Sequence, residues 1–286
     1  MSVATAKRRK WTYFITPLGV LLAVAVGILA YYHERDTREG FYEIGDTGQA
    51  ERIDLGVVVQ RVDAPARELV LQVLVSPHGA VRDGGDERAA AKDLVVDSSS
   101  VAAVPLRFRA GERISAKELR VPLDDGVVSD FPFDRYRTQL YFEVTAGGTH
   151  VPTTMNYADH DPFFLSRVTG GDAADGEVRA DLLIKRSRST FILAWFQVIV
   201  MWALALSVLA GALHIVRRRL GLVWPALGWM AATLFALVGF RNAAPGLPPI
   251  GSMIDYCAFF WAEAVITLAL VMVVVKGIRL KQKAPA

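Results

Sequence analysis

The sequence predicts a membrane α+β protein: four transmembrane helices and one extracytoplasmic antiparallel β-sandwich. Three observations predict it. Four long apolar blocks interrupt the chain, basic residues gather at the ends of those blocks, and an acidic middle segment alternates apolar and polar residues with period two.

The apolar blocks come first. Hydrophobic residues make up 52% of the 286 residues, and their excess lies in residues 11–32, 190–216, 220–240 and 253–275. Each is about 20 residues or longer, which at about 1.5 Å per helical residue reaches across a hydrocarbon core of about 30 Å. All six tryptophans fall inside these blocks, several of them near the ends, where aromatic belts form.

Charge then sets an orientation. Residues 33–187 carry 27 acidic against 19 basic side chains, whereas the rest of the chain carries 13 basic against two acidic. The overall +3 therefore reports lysines and arginines at helix ends rather than a nucleic-acid-binding surface. Lys7–Lys10 precede the first block, Arg217, Arg218 and Arg219 separate the second from the third, and Lys276, Arg279, Lys281 and Lys283 follow the fourth. With four spans these segments share one side, which the positive-inside rule makes the cytoplasm. The expected order is a cytoplasmic N-terminus (1–10), an anchor (11–32), an extracytoplasmic β domain (33–187), a three-helix membrane domain (188–276) and a cytoplasmic tail (277–286). The first block has the basic front of a signal peptide, but its apolar run is long and no A-x-A site closes it, so an uncleaved anchor in a bacterial plasma membrane is expected. The single cysteine, Cys257, lies in the fourth block and allows no intrachain disulfide.

The middle segment reads as strands. Residues 53–62 and 69–75 flank a turn and form a hairpin, and further strands are expected at 93–97, 104–109 and 118–122. Residues 136–144 alternate most cleanly: Tyr136, Thr138, Leu140, Phe142 and Val144 share one face, opposite Arg137, Gln139, Tyr141 and Glu143. Val178, Ala180, Leu182 and Ile184 repeat the pattern in a last strand that runs straight into the second block through Lys185-Arg186-Ser187-Arg188. At least six such strands suggest a sandwich.

Chemistry is sparse. Glu263 and Asp255 are the acids of the membrane blocks, and Glu263 lies about 15 Å inward for a straight helix. It reads either as a proton, cation or partner site, or as a hydrogen-bonded glue between helices through Gln197, Ser207 or Thr233. Arg241 ends the third block and Asp255 begins the fourth, so a pair is expected across the stiff connection holding Pro245, Pro248 and Pro249. That connection reads as a hairpin turn or as a coupling loop beneath the β domain. Asp159, His160 and Asp161 cluster before Pro162, but no spaced histidine or cysteine follows, so an Asx-Pro turn is expected rather than a metal site. Nucleophile elbows, phosphate-cradling loops and paired carboxylates are not found, and no cofactor is expected.

Two segments carry a resemblance. Asp130-Phe131-Pro132-Phe133-Asp134-Arg135-Tyr136, together with residues 234–251 and Asp255, resembles an actinobacterial family of uncharacterised membrane proteins catalogued as a domain of unknown function. The resemblance covers most of the chain and implies an inner-membrane protein without implying an activity. Phe131-Pro132-Phe133-Asp134 is also similar to a motif of pentameric ligand-gated channels, whose last strand likewise enters the first pore-domain helix through a basic junction. The chain departs from those channels in its added anchor, in having no fourth channel helix after residue 275, and in a third block whose only hydroxyl is Thr233. The likeness implies shared architecture.

These readings lead to a non-enzymatic inner-membrane protein with a periplasmic β domain, an accessory or assembly subunit of a larger envelope or transport complex. Its expected partners are other integral membrane proteins and lipids, not nucleic acid. The alternatives are a channel-like homo-oligomer and an envelope hydrolase. Candidate partner contacts are Glu263, Asp255, Arg241 and Gln197; the candidate coupling loop comprises Phe131, Pro132, Phe133, Asp134, Pro245, Pro248 and Pro249.

Overall fold

The computed structural model of the protein describes residues 21–22, 24–29, 31–33, 40–174 and 176–283. Residues 24–29 and 31–33 are helical, and the remainder of the expected anchor lies outside the described residues apart from a helical pair at 21–22. From Tyr42 onward the chain is one compact unit.

That unit begins with eleven strands: β1 (Tyr42–Ile44), β2 (Ile53–Asp63), β3 (Glu68–Pro77), β4 (Leu94–Ser98), β5 (Leu106–Phe108), β6 (Lys117–Pro122), β7 (Arg135–Ala146), β8 (Thr149–His150), β9 (Thr153–Asp159), β10 (Phe164–Ala174) and β11 (Glu177–Arg186). They form two sheets, ordered β1-β9-β2-β3-β6 and β10-β11-β7-β4-β5, with β8 on β7. Leu55, Val57 and Leu71 of the first sheet share one apolar core with Leu140, Phe142 and Leu182 of the second. The expected inward faces of β7 and β11 are buried: Tyr136, Thr138, Leu140, Phe142 and Val144, then Val178, Ala180, Leu182 and Ile184.

The expectation of purely antiparallel pairing is corrected at one place. β2 and β9 run parallel, from Ile53↔Thr153 to Val59↔Asp159. β9 returns to the first sheet after the β7–β8 hairpin and inserts between β1 and β2, so its direction is set by that crossover.

Three helices follow: α1 (Arg188–Arg217), α2 (Trp224–Asn242) and α3 (Phe260–Lys283), the last preceded by a π-helical turn at Asp255–Phe259. Two spans, Arg188–Arg217 and Asp255–Gln282, are long and apolar enough to cross a membrane. Only 28% and 33% of their most apolar windows are buried, whereas a core helix of a soluble protein hides most of such a stretch. Phe196, Ile199, Leu206, Leu268 and Val271 stand exposed along them, which is surface that water does not favour. α2 is shorter than the expected third block at its N-terminal end, starting at Trp224 instead of residue 220. Its 19 residues include Pro225, Gly228 and Arg241 and do not make a comparable span.

Small residues let α1 and α3 approach closely. Met201, Ala205, Val208 and Ala212 recur every three or four residues on α1 and meet Ala262, Ile266, Ala269 and Val273 of α3. α2 buries a narrower stripe of Met230, Thr233, Leu237 and Arg241.

Candidate functional site

The chemistry concentrates where the β domain meets the helices. β11 ends at Arg186, Ser187 caps α1 by accepting the Thr190 N–H, and Thr190 Oγ1 donates to the Phe163 carbonyl at 2.9 Å. No linker separates strand from helix, so α1 begins in register with the sheet.

Arg186 lies under this junction with a side chain 2% exposed. Its Nε donates to both carboxylate oxygens of Asp134, at 2.9 and 3.0 Å. The same carboxylate accepts the Tyr136 hydroxyl at 2.8 Å. Burial and the neighbouring Asp134 charge push the Tyr136 phenol well above its usual range, so it stays a donor. The rings of Phe164 and Phe131 lie 4.0 and 4.9 Å from the guanidinium carbon, where a cation is attracted to aromatic faces. Nη1 and Nη2 of Arg186 have no hydrogen-bond partner among the described residues.

The α2–α3 connection passes against Arg186. Gly246, at φ +72, lies so close that a Cβ there would collide with Arg186 Nη1. This loop is shaped by a second buried pair. Arg241 Nε donates to Asp255 Oδ1 at 2.7 Å and Nη2 to Oδ2 at 2.6 Å, while Nη1 and Nη2 also reach the carbonyls of Pro248 and Pro249 at 3.0 and 2.8 Å. Asp255 accepts the Gly251 and Ser252 N–H groups as well. The expected Arg241–Asp255 pair therefore forms and folds the loop around itself, with Pro245 and Pro248 buried and Pro249 half-buried.

The four residues of the Phe-Pro-Phe-Asp motif reach the helices in different ways. Phe131 is buried and packs with Ala194 of α1 and Ile254 at the start of the π turn. Asp134 holds Arg186. Phe133, 47% exposed, meets the ring of Phe191 edge-on at 5.3 Å. Pro132, joined to Phe131 by a cis bond, lines with Phe133, Trp195 and Met253 a small apolar crevice of about 40 Å³.

The other candidates lie apart from this junction. Gln197 Nε2 donates to the Phe240 carbonyl at 3.1 Å, and its Oε1 is buried without a partner among the described residues. The expected glue around Glu263 is corrected: Ser207 and Thr233 bond carbonyls of their own helices, at Ala203 and Trp229. Glu263, half-buried on α3, makes no hydrogen bond or ion pair among the described residues.

Asp159 and Asp161 serve the backbone. Asp161 accepts the N–H groups of Val62, Phe163 and Phe164 at 2.6–2.7 Å, and Asp159 accepts Ser166 N and Oγ at 2.6 Å. Burial lifts the Asp161 carboxyl above its usual range, opposed by those three donors. His160 is exposed. Among the described residues no group of three or more His, Cys, Asp or Glu side chains is placed to hold a metal ion.

Phe164 and Gly246 are junction residues outside the expected site, and Arg186 and Tyr136, read from the sequence only as a basic junction and a strand face, join them there. The separation of 52 residues between Asp134 and Arg186 hides their pairing. The available signal was a basic residue ending a strand that had an otherwise apolar inward face.

Two family models match the chain. Residues 43–182 match a domain of unknown function (DUF4436), and residues 186–280 match another (DUF8686). The division between the two falls at the strand-to-helix junction built around Arg186. No curated protein matches.

Proposed function

We infer that this is a non-enzymatic, multi-pass plasma-membrane protein whose extracytoplasmic β domain and helices act as one body, as an accessory or assembly subunit of a larger envelope complex. The observation that carries the reading is the junction: a buried ionic and aromatic contact joins sandwich, first helix and α2–α3 loop without a flexible linker. A rigid joint of this kind transmits the position of one part to the other and makes little sense for a tethered, independently moving domain. A four-crossing arrangement with residues 33–187 outside is supported by the apolar blocks and the basic rim, and it requires the shorter α2 to cross as well. Glu263, on an apolar helix and without a partner among the described residues, favours contact with another membrane protein.

Purification of the full chain from native membranes in mild detergent tests this. Stoichiometric companions are expected; a clean monomer without any contradicts the reading. Protease added to intact spheroplasts should cut within residues 33–187 and spare Arg217–Arg219.

A second reading, a channel-like homo-oligomer, is favoured by one specific observation. Phe131–Asp134 meets the end of the last strand and the loop between the second and third helices of the membrane domain, so the candidate coupling residues lie together at the junction. It predicts a ring with α2 on the axis and a measurable conductance in planar bilayers. A monomeric mass with no conductance ends it.

A further inference from the structure

Two sheet edges lie open on one flank of the sandwich. Among the described residues β1 ends the first sheet and pairs with β9 alone, and β10 ends the second and pairs with β11 alone. Between them lies a cleft of about 750 Å³, lined by Tyr42–Asp46 and residues 168–173. A second, of about 560 Å³, continues past Asp46 and Ala173 to His150 and Glu177.

A free strand edge is a row of unpaired N–H and C=O groups that templates another strand, and proteins ordinarily blunt it with lysine, proline, a bulge or a cover. β10 offers 11 residues with neither lysine nor proline; of its two charged residues, Arg167 lies outside the cleft lining and Asp172 within it. A register shift between Val168 and Gly170 blunts a single point and leaves Gly170–Ala174 regular. Gly170 and Gly171 place bare backbone on the rim, and a Cβ on Gly171 would lie 2.8 Å from Ile44 Cδ1. The space beside Gly171 is thus filled by Ile44 of β1, and Gly170 adjoins the register shift.

The charge of the rim is one-sided. Glu43, Asp46 and Asp172 are exposed, no lysine or arginine lines either cleft, and these three form no ion pair among the described residues. Arg179, the cross-strand neighbour of Asp172, turns its guanidinium to Glu177 at 2.8 Å. His150 lies 3.4 Å from Glu143 and adds no certain positive charge.

We propose that this cleft receives an extended, basic segment of a partner protein as an added strand on β10, with its lysines or arginines facing Glu43, Asp46 and Asp172. Main-chain bonds would supply affinity and the acids would select the sequence. This names the class of companion and rests on the companion-binding reading above.

The test uses the full chain in detergent and three labelled eight-residue probes: alternating Val-Lys, alternating Val-Glu, and Val-Lys with alternate backbone nitrogens methylated. The Val-Lys peptide is expected to bind saturably. Its affinity should fall about tenfold or more for the Glu43→Lys/Asp46→Lys/Asp172→Lys variant, since three favourable rim pairs become repulsive. The methylated and Val-Glu peptides should lose binding. All three substitutions are at exposed positions, and an unchanged thermal unfolding midpoint verifies the fold.

Equal binding of the methylated peptide, an indifferent triple variant, or no saturable binding at millimolar peptide overturns the proposal. So does self-association of the wild type that the variant abolishes, which would make the occupant a second copy. Native-membrane purification separates the two readings. Companions retained by the triple variant sink the cleft and leave the accessory role, whereas peptide binding by a chain that retains no companions does the reverse.

Discussion

Arg186 and Arg241 are both buried arginines beside an aspartate, yet they are built differently. Arg241 spreads its donors over Asp255 and two proline carbonyls within a span of 14 residues. Arg186 reaches across 52 residues, uses only Nε, and leaves two nitrogens against aromatic faces. The first arrangement is a local clamp that shapes one loop. The second joins three parts of the molecule at a cost in unspent hydrogen bonds, which argues for a joint and against a stability device. A buried ion pair is weak evidence for stability in general, and the contrast shows which of the two is expendable on that score.

Several substitutions break or sharpen this contrast, in descending order of effect. Asp255→Ala strands the Arg241 charge and should cost about 3–5 kcal/mol, read as a large drop in the unfolding midpoint of the full chain in detergent. A loss of under about 1 kcal/mol would mean that the clamp is not one.

Gly246→Ala should cost about 1–3 kcal/mol, because φ is unfavourable for alanine and the new carbon meets Arg186. Combining it with Arg186→Ala should recover part of that loss, a coupling above about 0.5 kcal/mol in the double-mutant cycle. Strict additivity would separate loop from joint.

Replacing each pair by apolar residues compares them directly. Asp134→Leu/Arg186→Met, made together with Tyr136→Phe so that no buried hydroxyl is left unpaired, should lie within about 1 kcal/mol of wild type. Asp255→Leu/Arg241→Met should cost about 2 kcal/mol or more, since the Pro248 and Pro249 carbonyls lose their donors. Equal losses would erase the distinction.

The smallest effect belongs to a site far from the joint. Burial raises the Asp54 carboxyl, but Arg52, Thr154 and His78 outweigh it and hold it below the usual range. A carboxyl depressed on folding stabilises above the unfolded value of about 3.9, and that contribution fades as pH falls through the lower folded value. Wild type and Asp54→Asn should therefore differ in midpoint at pH 7 and converge towards pH 2. A difference that grows on acidification would reverse the sign.

Sequence legibility followed the same physics. β7 and β11 were readable because each buries one face, so apolar and polar residues alternate. β9 was not, because it lies inside its sheet with both faces covered and shows no alternation. β10 was hidden by Gly170 and Gly171, and β1 by its three-residue length. In the candidate site Arg241 and Asp255 could be matched across a short loop, whereas Asp134 and Arg186 come together only once the sandwich has formed. Asp159 and Asp161 show the converse: clustered carboxylates suggest ligation, and backbone N–H groups consume them instead.

Hydrogen exchange of the full chain in nanodiscs, wild type against Asp134→Asn, reaches the joint most directly. Losing the Asp134 charge should speed exchange in residues 243–252, across the contact from the substitution. Faster exchange confined to the neighbours of Asp134 and Arg186, with the α2–α3 loop untouched, would contradict a joint that links sandwich to helices.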